Sequence, residues 1–589
     1  MHFAQLFSYL ILHFTFCILH LPLAPLRDLR PSFCILHFAF CIYLPSVIFP
    51  FLISYSIIVG SSRACARIPR HPKTATEALM NKKVKFFYNG ALLTLVGLAM
   101  RGVQLLFSAY ISRAVGAEGV GLNTLIMTVY SFALTFATSG ISLTVTRLVA
   151  TAMGEGRESE TGRILRGAFA YALLFGGAAT AVLLSLSGVI STYIIADPRA
   201  TAALRLLSIS LVPSALSAVF GGYFVAVRRV SLNALTQVAG QIFRIGITAL
   251  LLVRLQDTAA ALTALAIGLA SAETLAFLVA LAEYLVDRKK ATRGRGKAFK
   301  PVAKMALPLA VSSYLRSALL TLEHSLIPRA LVRHGETNTE ALASYGYLHG
   351  MALPLILYPL TPLSSFSGLL VPEFAESHGA KDSARLRRIA NSALNTTLTY
   401  AVTSAVLIYL FSEELGYVIY DSYDAGKYIA MLAPVVPIMY LDHVADSILK
   451  GIGEHIYSMW VNIADACLSV VLVVILIPTM GIAGYAVVII AMEAFNFLLS
   501  VLRLASRIPF RINLIRSVLA PLFAALASAV LSRLLFSSTG EATAPTLLVL
   551  KLIFAASATL ALRIPLVALI DLLSNRVFIK KSNKYRETA

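Results

Sequence analysis

The chain has 589 residues, 58% hydrophobic and 13% charged, with a mean hydropathy of +0.79 and a formal net charge of +21. Soluble proteins average about 25% charged residues, so this composition excludes an ordinary soluble fold. The bases sit in short connections beside apolar stretches and form no separate basic domain, which excludes nucleic acid as the partner.

In chain order, residues 1–79 stand apart. Residues 11–18 read ILHFTFCI and residues 35–42 read ILHFAFCI, with FCILH at both 16–20 and 33–37. Repetition at such short range is low-complexity sequence. Two apolar blocks and no basic start after Met1 do not make a signal peptide. We expect translation to start at Met80 (MNKKVKFF), leaving 1–79 outside the functional core; the competing reading is one or two further spans there.

From about residue 86 the chain carries roughly fourteen apolar stretches of about 20–30 residues, each long enough for the ~30 Å hydrocarbon core of a bilayer. The predicted spans are 86–113, 119–149, 164–190, 203–227, 232–254, 258–285, 303–331, 340–374, 386–411, 427–451, 457–477, 481–505, 512–536 and 545–574. Their connections alternate in charge. One set carries about 29 bases, among them Lys82, Lys83, Arg157, Arg163, Arg288, Lys289, Arg385, Arg503 and the tail Arg576 to Arg586; the other carries about 6, such as Arg199 and Lys427. Cytoplasmic loops carry such an excess. The expected fold class is therefore an all-α polytopic membrane protein of about 14 transmembrane helices, with both ends of its core in the cytoplasm.

The longest and most basic connection divides the core. The expected organisation is an N-terminal lobe at 80–286, a basic cytoplasmic linker at 287–302, a C-terminal lobe at 303–505, and two further helices with a basic tail at 506–589. Residues 212–235 and 436–459 echo each other: Val-Pro, an apolar run, then a tight turn into the next span. Transporters are commonly built from such repeats. Prolines cluster in three spans, at Pro308 and Pro328, at Pro354, Pro359 and Pro362, and at Pro434 and Pro437. Each removes a helical hydrogen bond and favours a kink, read either as static shape or as a bending point.

Charge at membrane depth costs about 2.5–3.5 kcal/mol even on the mildest scale, so it faces a cavity or a partner. At ~1.5 Å per residue, Arg101, Arg244 and Arg316 lie about 18–23 Å from the cytoplasmic end of their spans. Arg101 and Arg316 are on the first helix of each half. A cationic cavity suits an anionic substrate, and Arg grips phosphate bidentately. Arg113 and Arg147 stand at opposite rims, Arg113 against the positive-inside bias. The competing reading is internal ion pairing, with Glu273 set against Arg244 and with Glu323 two turns along from Arg316. Glu323 and His324 are coupling candidates because His titrates near neutral pH; a structural histidine is the plainer account of His324. Asp442 is a further coupling or ion-pairing candidate.

No Cys or His spacing of metal-site type occurs, and no GxxxxGK[ST], HExxH or GxSxG motif. We expect no catalytic residue, no metal, no cofactor and no nucleotide partner. Energy would come from a coupling ion, the membrane potential or the substrate gradient.

Several stretches together resemble a known family: LVGLAMRGVQLLFSAYISRAVGAEGVGLNTL (95–125), SGISLTVTRLVATAMGEGR (139–157), GGYFVAVRRVSLNALTQVAGQIFRI (221–245), HSLIPRAL (324–331), SYGYLHGMALPLILYPL (344–360) and SSFSGLLVPEFAES (364–377). They resemble the stage V sporulation protein B group of polysaccharide exporters, within the multidrug/oligosaccharidyl-lipid/polysaccharide (MOP) flippase superfamily. The resemblance covers about 80–580. It implies two pseudo-symmetric six-helix lobes plus two C-terminal helices, and alternating access around a central cavity. It implies as substrate an undecaprenyl-pyrophosphate-linked sugar, such as a peptidoglycan precursor for spore cortex or cell wall, moved across the plasma membrane. It also implies that cavity arginines hold the pyrophosphate. Arg101 and Arg113 match the first-helix motif and Arg147 the second, whereas Arg316 corresponds only by helix position. The first 79 residues and the basic turn VAVRRVSLNA depart from the family pattern.

Two other readings stand beside the flippase. A cation-coupled drug exporter of the same superfamily needs an acidic site, which the mid-membrane acids could supply. A membrane glycosyltransferase or ligase needs catalytic acids on an outer loop, for which 412–426 (Glu413, Glu414, Asp421, Asp424) is the sole candidate.

Overall fold

The computed structural model describes residues 73–138, 140–157, 160–227, 229–253, 257–287, 299–536, 548, 550–563 and 565–567, with backbone alone for 73–96. The FCILH repeat, most of the basic linker and the basic tail lie outside the described residues, and so does nearly all of the segment before the expected start at Met80.

Among the described residues the regular structure is helical throughout. Among the described residues, eleven helices are long and apolar enough to cross a membrane, or up to thirteen if each of two bent pairs is one span. One of the eleven, Met100–Gly154, is 55 residues long. That is about 80 Å of helix, more than twice a ~30 Å core, and it takes in part of the first predicted span and all of the second. The division is at Gly116 in α1 (Lys73–Thr138), where φ 68° and ψ 179° are not helical. Glycine reaches positive φ without the steric penalty of a Cβ. A second break falls at Gly140 (φ 76°), from which α2 (Ile141–Gly154) starts.

The chain continues through α3 (Thr161–Val189), α4 (Ala200–Ala226), α5 (Val230–Leu252), α6 (Thr258–Asp287) and α7 (Phe299–His334). It then forms α8 (Asn338–Tyr345), a π turn (Gly346–Ala352), α9 (Leu353–Leu357) and α10 (Leu360–Gly379). Next come α11 (Ser383–Leu410), α12 (Ser412–Tyr420), α13 (Tyr423–Leu432), α14 (Val436–Gly451), α15 (His455–Met480), α16 (Ile482–Arg507) and α17 (Ala520–Leu535). The last span, α18, is Leu550–Val567.

Two proline clusters coincide with bends. α7 bends by 49° between Phe299–Pro308 and Ser313–His334, and the next span bends by 56° between Leu357 and Leu360, at Pro359. The lost i→i−4 bond and the ring's clash with the preceding turn account for both. Pro434 instead sits in a 3₁₀ turn, Ala433–Val435, ahead of α14. The two echoing stretches share a layout: α4 ends at Ala226 and α5 begins at Val230, while α14 ends at Gly451 and α15 begins at His455.

The described residues form two compact units: one of those within 73–110, 351–461 and 489–567, the other of those within 111–350 and 462–488. In the first, Leu370, Phe374, Ile389, Leu394, Val444 and Ile448 form a core shared by α10, α11 and α14. α17 and α18 join through Ser528 Oγ and Thr559 Oγ1, 2.6 Å apart, and through Ser532 Oγ donating to the Lys551 carbonyl at 3.0 Å. Arg533 donates to the Leu410 carbonyl and lies 5.7 Å from the Phe411 ring centroid, which ties α17 to the end of α11. In the second unit, Phe220 and Phe224 of α4 pack with Ala280 of α6.

Large apolar side chains such as Leu174, Val182, Leu250, Leu278, Val471, Ile475 and Phe523 are exposed. A water-soluble surface does not carry this many, and a lipid-facing surface does. The expected outer loop 412–426 is itself helical, because Phe411 and Ser422 head two short helices there, the second capped by Ser422 Oγ. Its acids have separate partners: Glu414 lies 3.6 Å from Arg533, and Asp424 is 2.8 Å from Lys427.

Candidate functional site

Arg316 stands on the straight part of α7, exposed. Around it α7 runs antiparallel to the second part of α1. Tyr314 Oη donates to the Phe136 carbonyl at 3.2 Å, Ser317 Oγ to Thr135 Oγ1 at 3.4 Å, and Thr321 Oγ1 to the Thr128 carbonyl at 3.5 Å. Arg316 is therefore level with Thr135 and Phe136. Arg147 is exposed on α2, beyond the break at Gly140. Arg113, also exposed, precedes the Gly116 break. Arg101 is exposed on α1 in the other unit. Neither Arg101 nor Arg316 has an ion pair among the described residues.

Arg244 and Glu273 are brought together. They interact electrostatically across α5 and α6, and both act on Tyr130 of α1. Glu273 also accepts from Ser214 Oγ at 2.7 Å, while Tyr130 Oη and Ser210 Oγ are 2.8 Å apart. Four helices thus share one polar cluster, with Tyr130 and Ser210 fully buried. A buried ion needs such pairing and hydrogen bonding.

Glu323 and His324 are adjacent in the chain but turn to different neighbours. Glu323, 9% exposed, accepts from Ser469 Oγ of α15 at 2.6 Å and feels Asp465 one turn away. His324 Nδ1 is 3.1 Å from Tyr345 Oη, and its ring centroid is 4.3 Å from that of His349. His349 stacks on Tyr345 with 4° between ring planes, and its Nδ1 is 3.3 Å from Tyr485 Oη. Asp442 is half-buried on α14, in the other unit.

Sequence reasoning missed Tyr345, His349, Ser469 and Tyr485. Two signals were available: Tyr345 and His349, and likewise Asp465 and Ser469, are i,i+4 pairs, which share a helix face. Among the described residues no group of three or more His, Cys, Asp or Glu could hold a metal ion.

At the chain's rim, Arg199 closes the turn before α4. It lies 2.6 Å from both Asp197 and Glu118, and these carboxylates hold its guanidinium above the ordinary arginine pKa, Asp197 most strongly. A second clasp joins α14, α15 and α16: Glu454 is 2.8 Å from Arg503 and 2.7 Å from Arg507, while Arg503 lies over the Tyr457 ring at 4.9 Å.

The family described as polysaccharide biosynthesis protein matches residues 86–378, and the MatE family matches residues 330–476. Stage V sporulation protein B of Bacillus subtilis (strain 168) is 23% identical over 444 residues, 73% of this chain and 86% of that protein. The lipid II flippase MurJ in an inward closed conformation is similar in structure, with TM-score 0.62 and 16% identity over 83% of this chain and 99% of MurJ. An inward-facing multidrug resistance MATE family transporter of the MOP superfamily aligns with TM-score 0.59 and 15% identity, covering 70% of this chain and 98% of the transporter. Taken in order along the chain, the polysaccharide biosynthesis protein and MatE family models match residues 86–476, and the fold is that of the lipid II flippase MurJ and of MATE family transporters.

Proposed function

We propose that this protein flips an undecaprenyl-pyrophosphate-linked sugar, a peptidoglycan precursor used in spore cortex or cell wall, across the plasma membrane by alternating access. The termini of the core face the cytoplasm, as the loop charges require. The observation that carries this reading is that Arg101 in one unit and Arg316 in the other are each an exposed guanidinium inside a membrane span with no ion pair among the described residues. Such a group calls for water or an anion beside it. The pyrophosphate of a lipid-linked sugar supplies that anion, while its lipid tail stays in the bilayer. Without cations, a pyrophosphate in hydrocarbon would cost tens of kcal/mol by Born estimates.

Arg113 and Arg147 would receive the headgroup at the two rims. Arg244, already engaged with Glu273, would shape the site more than hold substrate. Glu323, hydrogen-bonded to Ser469, is the proposed coupling group, with Glu273, His324 and Asp442 as further candidates.

The test is leaflet-resolved detection of the lipid-linked precursor in cells depleted of the protein. Precursor should accumulate on the cytoplasmic face, with rescue by wild type and none by Arg101→Ala or Arg316→Ala at normal expression. Full complementation by both variants would remove the cationic-site mechanism.

A second reading, cation-coupled drug export, is favoured by one observation, the buried acid Glu323 beside Asp465. Cationic-drug efflux that is lost in Glu323→Gln and kept in Arg316→Ala would select it.

A further inference from the structure

One face of α11 carries polar residues where a bilayer-facing helix would be apolar. Arg387, Asn391, Asn395 and Thr399 follow one another at i,i+4 spacing, so they form a single slowly winding stripe. Asn391 and Asn395 hold the extended segment ahead of α17. The Arg511 amide donates to Asn391 Oδ1 at 2.7 Å, and Asn395 Nδ2 donates to the Arg511 carbonyl at 3.0 Å. The Asn513 amide and Ser517 Oγ both donate to Asn395 Oδ1 at 2.9 Å. This clasp satisfies the backbone of a non-helical segment and fixes Arg511 beside the start of the stripe.

Deeper along the stripe, Arg563 of α18 reaches Thr399 Oγ1 at 3.4 Å, while its buried Nε has no hydrogen-bond partner among the described residues. Four to eight residues of α11 separate Thr399 from the asparagine level, about 6–12 Å of rise. Arg387 and Arg511 are exposed and have no ion pair among the described residues. Of the acids near this end of α11, Glu373 and Glu376 each lie 3.4 Å from Arg385, and Asp382 caps the helix by accepting from the Arg385 amide at 2.9 Å. Further along α17, Phe523, Leu526 and Val530 are exposed.

We propose that this seam binds an anionic phospholipid. Arg387 and Arg511 take its phosphate, the half-buried guanidinium of Arg563 donates to a glycerol ester carbonyl below, and the acyl chains lie along Phe523, Leu526 and Val530. A phospholipid places phosphate, ester and chain in that order down the membrane normal, which is the order of cation, buried donor and apolar surface here. Basic pockets between membrane helices recognise anionic lipid headgroups in this way.

Native mass spectrometry of the purified full chain tests this, with phosphatidylglycerol and phosphatidylcholine of matched acyl chains. Wild type should favour phosphatidylglycerol by roughly fivefold per guanidinium. Arg387→Gln/Arg511→Gln should bring the two lipids level, and Arg387→Gln alone, which touches no bond of the clasp, should remove part of the preference. Arg563→Gln should lower binding of both lipids, because the ester is common to them. Arg157→Gln, on another loop, should change nothing. Equal binding of the two lipids by wild type, or unchanged preference in the monodisperse arginine variants, would overturn the proposal. Displacement of phosphatidylglycerol by millimolar inorganic phosphate would also overturn it, since the site would then take free phosphate.

Discussion

Gly121 of α1 and Gly346 of the π turn cross so closely that neither has room for a Cβ. A Cβ on Gly121 would lie 1.9 Å from the Leu342 carbonyl oxygen, and one on Gly346 would lie 2.1 Å from that of Ala117, where ordinary contact begins at 3.4 Å. Alanine at Gly346 therefore pushes the two backbones apart by more than about 1 Å. Backbone oxygen cannot swing aside as a flexible side chain would. Overpacking of this kind costs about 1–3 kcal/mol, which weakens the closed crossing about 5–150-fold relative to a separated one. Val120 is 5% exposed and touches the neighbouring Gly350, so it reports on the crossing. In a background with the native cysteines replaced by serine, a Val120→Cys thiol should react with a membrane-impermeant maleimide at least about fivefold faster when Gly346→Ala is added. Transport should fall with it. An unchanged labelling rate together with an unchanged thermal melt would refute the claim that a tight backbone crossing closes this part of the protein.

Three further outcomes follow from the remaining contacts. Arg503 hydrogen-bonds the Glu454 carboxylate and holds its pKa below the usual 4.5; the contribution to stability is thus present at neutral pH and is lost as pH falls through that lowered value. The melting difference between wild type and Glu454→Gln, less than about 1 kcal/mol for partly exposed pairs, should be constant from neutral pH down to about pH 5 and close below it. Arg199→Ala leaves Asp197, 3% exposed, without its guanidinium; a loss of about 2–3 kcal/mol is expected, between the exposed and buried limits, and Arg199→Ala/Asp197→Ala should lose less than the two single changes combined in a denaturation series. Glu323→Gln keeps an acceptor for Ser469 Oγ but not the charge. Its melt should match wild type while transport in proteoliposomes loses its dependence on an imposed proton or sodium gradient; a gradient response equal to wild type would remove Glu323 from coupling.

Much of the architecture could be read before any coordinates. The predicted spans at 164–190, 203–227 and 258–285 correspond to Thr161–Ile195, Ala200–Ala226 and Thr258–Val286, because a membrane span is a local property of twenty or so consecutive residues. The proline-marked bends at Pro308 and Pro359 were legible for the same reason. The helical character of 412–426 was not: its charges resemble a solvated loop, while short helices held by caps and neighbours leave little trace in composition.

The sequence alone thus determined the class of the protein, its alternation of loop charge, and the list of charged residues at membrane depth. Each of these depends on residues near one another in the chain. The tertiary structure decided what those charges do. Glu323 meets Ser469 across 146 residues, Arg563 meets Thr399 across 164, and Arg511 is held by two asparagines more than a hundred residues away. Glu323 and His324 part company because consecutive side chains on a helix point about 100° apart. Helices in lipid choose neighbours by close packing and hydrogen bonding and not by hydrophobicity, so these pairings could not be read from the apolar pattern that defines the spans.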